Sequence, residues 1–224
     1  IAARYDQLHD DAFAREELTR LLTAVEGVQL SVADDYGTPA IDAADLLVTY
    51  IAQTPPGGAE VAKLEAFLER GGRWFAIHTS NAVPPDCPLP RVIGSRFLTH
   101  PPYGPFQVEV TQPDTSLLEG IEPFDVEDEL YVIEQADDLD VLLHARWGGE
   151  VRGLRVDEAD QPLMYRRRVG AGEVLYLALG HCNPAGIVVQ GVEVGQRRGS
   201  WQSRVFRELV RRGVEWAARG EETR

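Results

Sequence analysis

Apolar and polar residues alternate along this chain with two different periods, and the changes of period mark its elements. Residues 10–25 set Phe13, Leu18, Leu21, Leu22 and Val25 on one face of a predicted helix, with Asp10 and Asp11 available to cap its N-terminus. Val28-Gln29-Leu30-Ser31-Val32 alternates as a half-buried strand does, whereas Leu46-Leu47-Val48-Thr49-Tyr50 is a nearly unbroken apolar run, which marks a strand covered on both faces. Pro55 and Pro56 open a second helix that turns Val61, Leu64 and Leu68 inward. Gly71-Gly72 stops it before the buried strand Trp74-Phe75-Ala76-Ile77. This is a β-α-β rhythm and predicts parallel pairing.

Beyond His78 the pattern changes. Pro84, Pro85, Pro88 and Pro90 hold off regular structure until a short segment at residues 92–98. Strand-like segments then follow at 106–110, 129–133, 141–145 and 163–167 with no helix between them, as antiparallel additions to a sheet edge do. Residues 174–179 form another buried strand. A glycine-rich loop leads from it to a last helix with Phe206, Leu209, Val210, Gly213 and Ala217 inward. Ile1-Ala2-Ala3 reads as an unusually short first strand, which puts the start of the numbering in question. The expected architecture is one α/β domain over residues 1–224, a flavodoxin-like three-layer sandwich with antiparallel β excursions.

Composition narrows the function classes. A chain of 224 residues buries about 70–75% of its unfolded surface without staples. Its formal charge of −14, from 36 acidic and 22 basic residues, disfavours nucleic acid and anionic membrane as partners. Cys87 and Cys182 are too few for a disulfide framework, and no apolar run approaches the roughly 20 residues of a membrane span. A cytoplasmic location is the expectation, and a flat sheet edge offers a place for a homodimer contact.

Four of the five histidines, His9, His78, His100 and His181, fall where a predicted strand gives way to a loop or helix. Strand ends are where open α/β sheets hold ligands. Each of these residues also has a structural reading. Asp10 beside His9 is a natural cap, and His78 follows a strand so buried that it can be a core histidine bonded to backbone. His100 precedes Pro101 and Pro102, which suits a rigid corner as well as a fixed ligand-facing side chain. Glu127, Glu129 and Tyr131 alternate onto one strand face, so Glu129 faces a pocket that Asp128 does not share if the strand is regular; a solvated edge is the alternative. His144 lies inside a predicted strand and reads as structural, and Arg166-Arg167-Arg168 as a solvated edge.

The order and spacing of several motifs carry a resemblance. They are His9-Asp10 with Phe13-Ala14-Arg15, Glu69-Arg70-Gly71-Gly72-Arg73-Trp74 leading to His78, and Thr79-Ser80-Asn81. Further on come Gly94-Ser95-Arg96-Phe97 with His100-Pro101-Pro102, Asp128-Glu129-Leu130-Tyr131, and Leu179-Gly180-His181-Cys182. Over nearly its whole length the chain resembles the ThuA-like trehalose-utilisation proteins, whose fold is similar to the class I glutamine amidotransferase domain. The resemblance implies a carbohydrate ligand and work on a keto-sugar or keto-glycoside.

Amidotransferase chemistry needs a cysteine on the turn after a buried strand, with a histidine oriented by a carboxylate. Here that turn carries His78, and Asn183 stands two residues after His181 where the orienting glutamate would be, so glutamine hydrolysis is not expected. Two readings remain for the histidines. In one, His78, His100, His181 and Glu129 bind a divalent metal (zinc, manganese or iron). In the other, His181 or His78 is a general base and Glu129 an acid, without metal. His9, Asn81, His100 and Tyr131 are the expected substrate contacts in either. A sugar lyase, isomerase or hydrolase follows from both, and a non-catalytic sugar-binding or regulatory module is the competing class. A nicotinamide-dependent reductase is disfavoured, because no G-x-G-x-x-G follows an early strand.

Overall fold

The computed structural model describes residues 8–50, 55–113, 115–189 and 191–219. The predicted first strand, Ile1-Ala2-Ala3, lies outside them. Helix α1 (Asp11–Thr23) is capped by Asp10, whose carboxylate accepts the Phe13 N–H at 3.2 Å, and it buries Ala14, Leu18 and Leu22. A single turn, α2 (Ala40–Ala43), leads to strand β1 (Leu46–Thr49). Helix α3 (Gly58–Glu69) begins where the Gly57 N–H donates to the Glu60 carboxylate at 2.6 Å, and it buries Val61, Leu64, Phe67 and Leu68. Gly72 then lets the chain fold back against that helix: a Cβ there would lie 2.5 Å from the Phe67 ring. Strand β2 (Arg73–Ile77) follows, with its last four residues buried.

The middle of the chain is β-rich. After a helical turn, α4 (Pro90–Ile93), come β3 (Ser95–Thr99), β4 (Gly104–Val110), β5 (Phe124–Asp128) and β6 (Val132–Gln135). Next is a long ribbon of β7 (Asp140–Val151) and β8 (Leu154–Val169), then β9 (Gly172–Leu177), a small hairpin of β10 (Ile187–Val189) and β11 (Val192–Val194), and helix α5 (Arg204–Arg219). The main sheet runs β1-β2-β9-β8-β7-β4-β5, and β3 pairs with β6 in a separate two-stranded sheet. Strands β1, β2 and β9 are parallel; from β9 onward every pairing is antiparallel.

Successive residues of β2 face opposite sides of the sheet, and both sides are covered. Phe75 packs against Gly213 of α5, while Trp74 on the other side meets the Tyr36 ring edge-on and donates to Thr49 Oγ1 at 2.9 Å. This accounts for the unbroken apolar runs of β1, β2 and β9.

Two expected strands differ. Residues 28–32 keep their alternating burial at Val28 and Leu30 but form no ladder among the described residues. The segment expected at 129–133 is broken instead: β5 ends at Asp128, and regular structure resumes at Val132. The ribbon is also longer than the strands predicted at 141–145 and 163–167.

Candidate functional site

The parallel strands deliver the site at their C-terminal ends, where Ile77 passes into His78 and Leu177 leads through Gly180 to His181. His78 opens a 3-10 turn (His78–Asn81) with φ +47°, a left-handed conformation uncommon for a residue with a side chain. Two bonds hold it there: Nδ1 lies 2.7 Å from the Ala178 carbonyl and must donate to it, and the Tyr176 hydroxyl donates to the His78 carbonyl at 2.8 Å. With Nδ1 protonated, Nε2 is left with its lone pair toward the crevice, where it accepts from the Tyr131 hydroxyl at 3.1 Å.

Glu129 owes its position to its neighbour. The break after β5 sends the Asp128 carboxylate, 1% exposed, inward to accept N–H groups of Glu129 (2.7 Å), Gly180 (2.9 Å), His181 (3.1 Å) and Ser200 (3.3 Å), together with the Ser200 hydroxyl. One buried carboxylate thus ties the Glu129 segment to the His181 loop and to the turn Gly199–Gln202. The Glu129 side chain goes the other way: Oε2 lies 3.4 Å from His181 Nδ1 and 3.7 Å from His78 Nε2, and Oε1 lies 3.7 Å from His100 Nε2. His9 closes the group, its ring 5.4 Å from that of His78 and 5.1 Å from that of His181. The Asp10 N–H donates to the Cys182 carbonyl at 2.8 Å, and Arg198 pairs with Asp10 at 2.9 Å, which fixes the start of α1 against the His181 loop.

The charges divide sharply. Burial works against the Glu129 carboxylate, but His181, His78 and His100 outweigh it and hold the carboxyl well below the usual range. Burial likewise opposes a charge on His181, and Glu129 overrides it, so that imidazole is raised. His78 is lowered well below an ordinary histidine, first by burial and then by His9. Burial raises the Cys182 thiol to about 12, far from the reactive thiolate that glutaminase chemistry needs.

One ligand atom from each of His9, His78, Glu129 and His181 lies within 4.8 Å of the others. Of the residues expected to ligate, His100 stands apart: its Nδ1 donates to the Pro101 carbonyl at 2.7 Å and its Nε2 accepts from Arg152 at 3.2 Å. His9, expected as a substrate contact, joins the group in its place. His100 and Tyr131 line a cavity of about 330 Å³ together with His9, Glu129 and His181. Asn81 does not: it is fully buried and donates to Ser95 Oγ at 2.8 Å. His144 hydrogen-bonds Thr111 on the ribbon, and Arg166 and Arg167 pair with Asp140 and Asp138, all outside that cavity. Sequence reasoning missed Arg152 and Arg197, which also line it. The turn residues Arg152-Gly153 were the only available signal, and they mark a hairpin tip without saying where it lands.

Known proteins can be compared with this arrangement. Among curated proteins none matches. A solved ThuA-like protein from Parabacteroides merdae superposes with a TM-score of 0.71 at 15% identity, over 100% of this chain and 90% of that one. A second, from Bacteroides uniformis, gives 0.69 at 17% identity over 94% and 85%. A β-galactosidase from Rahnella sp. R3 shares the fold at 0.57 and 15% identity, over 92% of this chain but 27% of that enzyme. The family model described as ThuA, trehalose utilisation, matches residues 5–186, and the chain belongs to that family.

Proposed function

We propose that this chain is a metal-assisted carbohydrate enzyme, with His9, His78, Glu129 and His181 as ligands and a keto-sugar or keto-glycoside as substrate. Family membership implies a role in carbohydrate (trehalose) utilisation. The chemistry rests on one observation, the convergence of three imidazoles and a carboxylate from four separate segments within 4.8 Å. The edges of a tetrahedron around zinc, with bonds of about 2.0–2.1 Å, measure about 3.3–3.4 Å. The His181–Glu129 and His78–Glu129 distances of 3.4 and 3.7 Å need only a small contraction to reach that.

The donors also fit. His78 is locked with Nε2 inward, and the contact of His181 Nε2 with Asn183 Oδ1 at 3.3 Å leaves Nδ1, buried and without a hydrogen-bond partner, facing Glu129. Three nitrogens and one oxygen suit zinc, manganese or iron. When bound, such an ion supplies Lewis acidity toward a carbonyl or water oxygen. The chain's own residues do the rest: the Tyr131 hydroxyl, released from His78 Nε2, bonds and orients the sugar, and His100, fixed by Pro101 and Arg152, walls the cavity beside it. Under the same reading the chain works in the cytoplasm on an amidotransferase-like, flavodoxin-like scaffold, with Cys87 and Cys182 as free thiols.

A metal-free acid–base reading is favoured by a separate observation, the raised His181 beside the ionised Glu129, which makes a ready proton donor opposite a neutral His78. Elemental mass spectrometry on protein purified without an affinity tag separates the two, alongside His181→Ala and Glu129→Ala. Near-stoichiometric metal, lost in both variants, supports the first reading. Metal-free protein that turns over keto-disaccharides with a bell-shaped pH profile supports the second, and binding without turnover indicates a sugar-binding module.

A further inference from the structure

We infer that the ligand of this cavity carries an anionic group, a carboxylate or phosphate on the sugar, received by Arg152 and Arg197. The inference deepens the carbohydrate reading above and rests on it for the sugar. The charge is argued independently.

The chain carries a net charge of −14, and several of its arginines pair with a carboxylate, as Arg166 does with Asp140 and Arg198 with Asp10. Arg152 and Arg197 are set apart by their place. Both line the 330 Å³ cavity beside the histidine cluster, and neither forms an ion pair with a carboxylate of the described residues. They come from unrelated places, Arg152 from the tip of the β7–β8 ribbon and Arg197 from the loop after β11, and both are fixed to residues 100–103. The Arg152 guanidinium donates to His100 Nε2 at 3.2 Å, and that of Arg197 lies 4.3 Å from the centre of the Tyr103 ring. Arg152 and Gly153, with φ +51° and +77°, make the two-residue turn of the ribbon, which holds the Arg152 backbone in one conformation.

Neither partner neutralises a positive charge, since His100 offers a lone pair and Tyr103 a π face. Of the described residues lining the cavity only Glu129 is acidic, so two guanidinium groups face one carboxylate. Guanidinium groups present paired donors that match carboxylate and phosphate oxygens. Thr79 adds a second sign of a polar occupant: it is 2% exposed, it lines the cavity, and its hydroxyl has no hydrogen-bond partner. The cavity volume falls at the low end for small-molecule sites, which suits a single acidic sugar unit.

Calorimetric titration of the protein as purified with D-glucose, D-glucuronate and D-glucose 6-phosphate tests this. At least one of the two anionic sugars is expected to bind about tenfold or more tightly than glucose, and which of them does so identifies the group. Arg152→Gln and Arg197→Gln should each lower the ratio of anionic-sugar affinity to glucose affinity. Arg152→Lys and Arg197→Lys, which keep the charge, should retain part of it and guard against a folding defect. Equal affinity for the three sugars overturns the inference, as does no binding of any in the millimolar range, or a preference that survives the double Gln variant. Chelator-treated protein separates this outcome from the metal reading. A preference that disappears with the metal and ignores the arginine variants overturns the inference and leaves the metal centre standing; a preference kept by protein that binds no metal does the reverse.

Discussion

The buried Asp128 carboxylate gathers four backbone N–H groups, and replacing it with an amide should be costly. In Asp128→Asn one side-chain oxygen can keep the Glu129 and His181 N–H groups, 2.7 and 3.1 Å away. The other position becomes an NH2 facing two further donors, the N–H groups of Gly180 and Ser200, which are then stranded in a site only 1% exposed. Each stranded buried donor costs about 1–3 kcal/mol, so the gross loss is about 2–6 kcal/mol. Against this, burial holds the Asp128 carboxyl above its ordinary range, and removing the charge returns part of that cost. A net destabilisation of about 2–4 kcal/mol follows. Equilibrium urea unfolding reads it: with a slope of about 2–3 kcal/mol/M, the midpoint falls by about 1–2 M. The reasoning is refuted if Asp128→Asn unfolds with the wild type.

Gly213→Ala should lower the melting temperature by a few degrees despite a helix-propensity gain of about 1 kcal/mol, because the new Cβ meets the buried Phe75 ring at 2.5 Å; a differential scanning calorimetry trace at or above wild type would count against that packing. Arg211, and after it Arg212, pull the Glu208 carboxyl down to about 2 against its burial. A depressed carboxyl contributes above its unfolded value of about 4.3 and loses that contribution as pH falls toward 2. Glu208→Gln should therefore cost at most about 1 kcal/mol at pH 7 and nothing near pH 2, as read from thermal midpoints across pH. His9→Ala should weaken metal binding by about 100-fold or more while His100→Ala stays within about threefold, measured by competition with a chelating dye; equal losses would restore His100 to the ligand set.

What the sequence disclosed follows its hydrophobic pattern. Strands β1, β2 and β9 are buried on both faces and read as apolar runs, and α1 carries both its cap and its inner stripe. The ribbon was visible only in its buried half, because much of β7 and β8 near the tip is exposed and has no period to detect. Glu129 looked like a strand residue because Glu127, Glu129 and Tyr131 alternate. The kink that turns it toward His181 is made by Asp128 bonding to residues 52 to 72 positions away, which local pattern does not encode. The histidines stood at legible places, the ends of strands and the start of a helix. Which of them meet is a matter of tertiary distance, and so His9 stands in the cluster where His100 was expected. Arg152 was invisible for the same reason, being ordinary in sequence and 52 positions from the His100 it contacts.

The central claim is a metal centre held by His9, His78, Glu129 and His181. Anomalous diffraction from a crystal of tag-free protein, collected on both sides of the zinc, manganese and iron edges, tests it most directly. The account predicts one strong peak about 2.0–2.3 Å from His78 Nε2, His181 Nδ1, the Glu129 carboxylate and an imidazole nitrogen of His9. A peak bonded to His100 in place of His9, or none at this cluster after incubation with each metal, would contradict it.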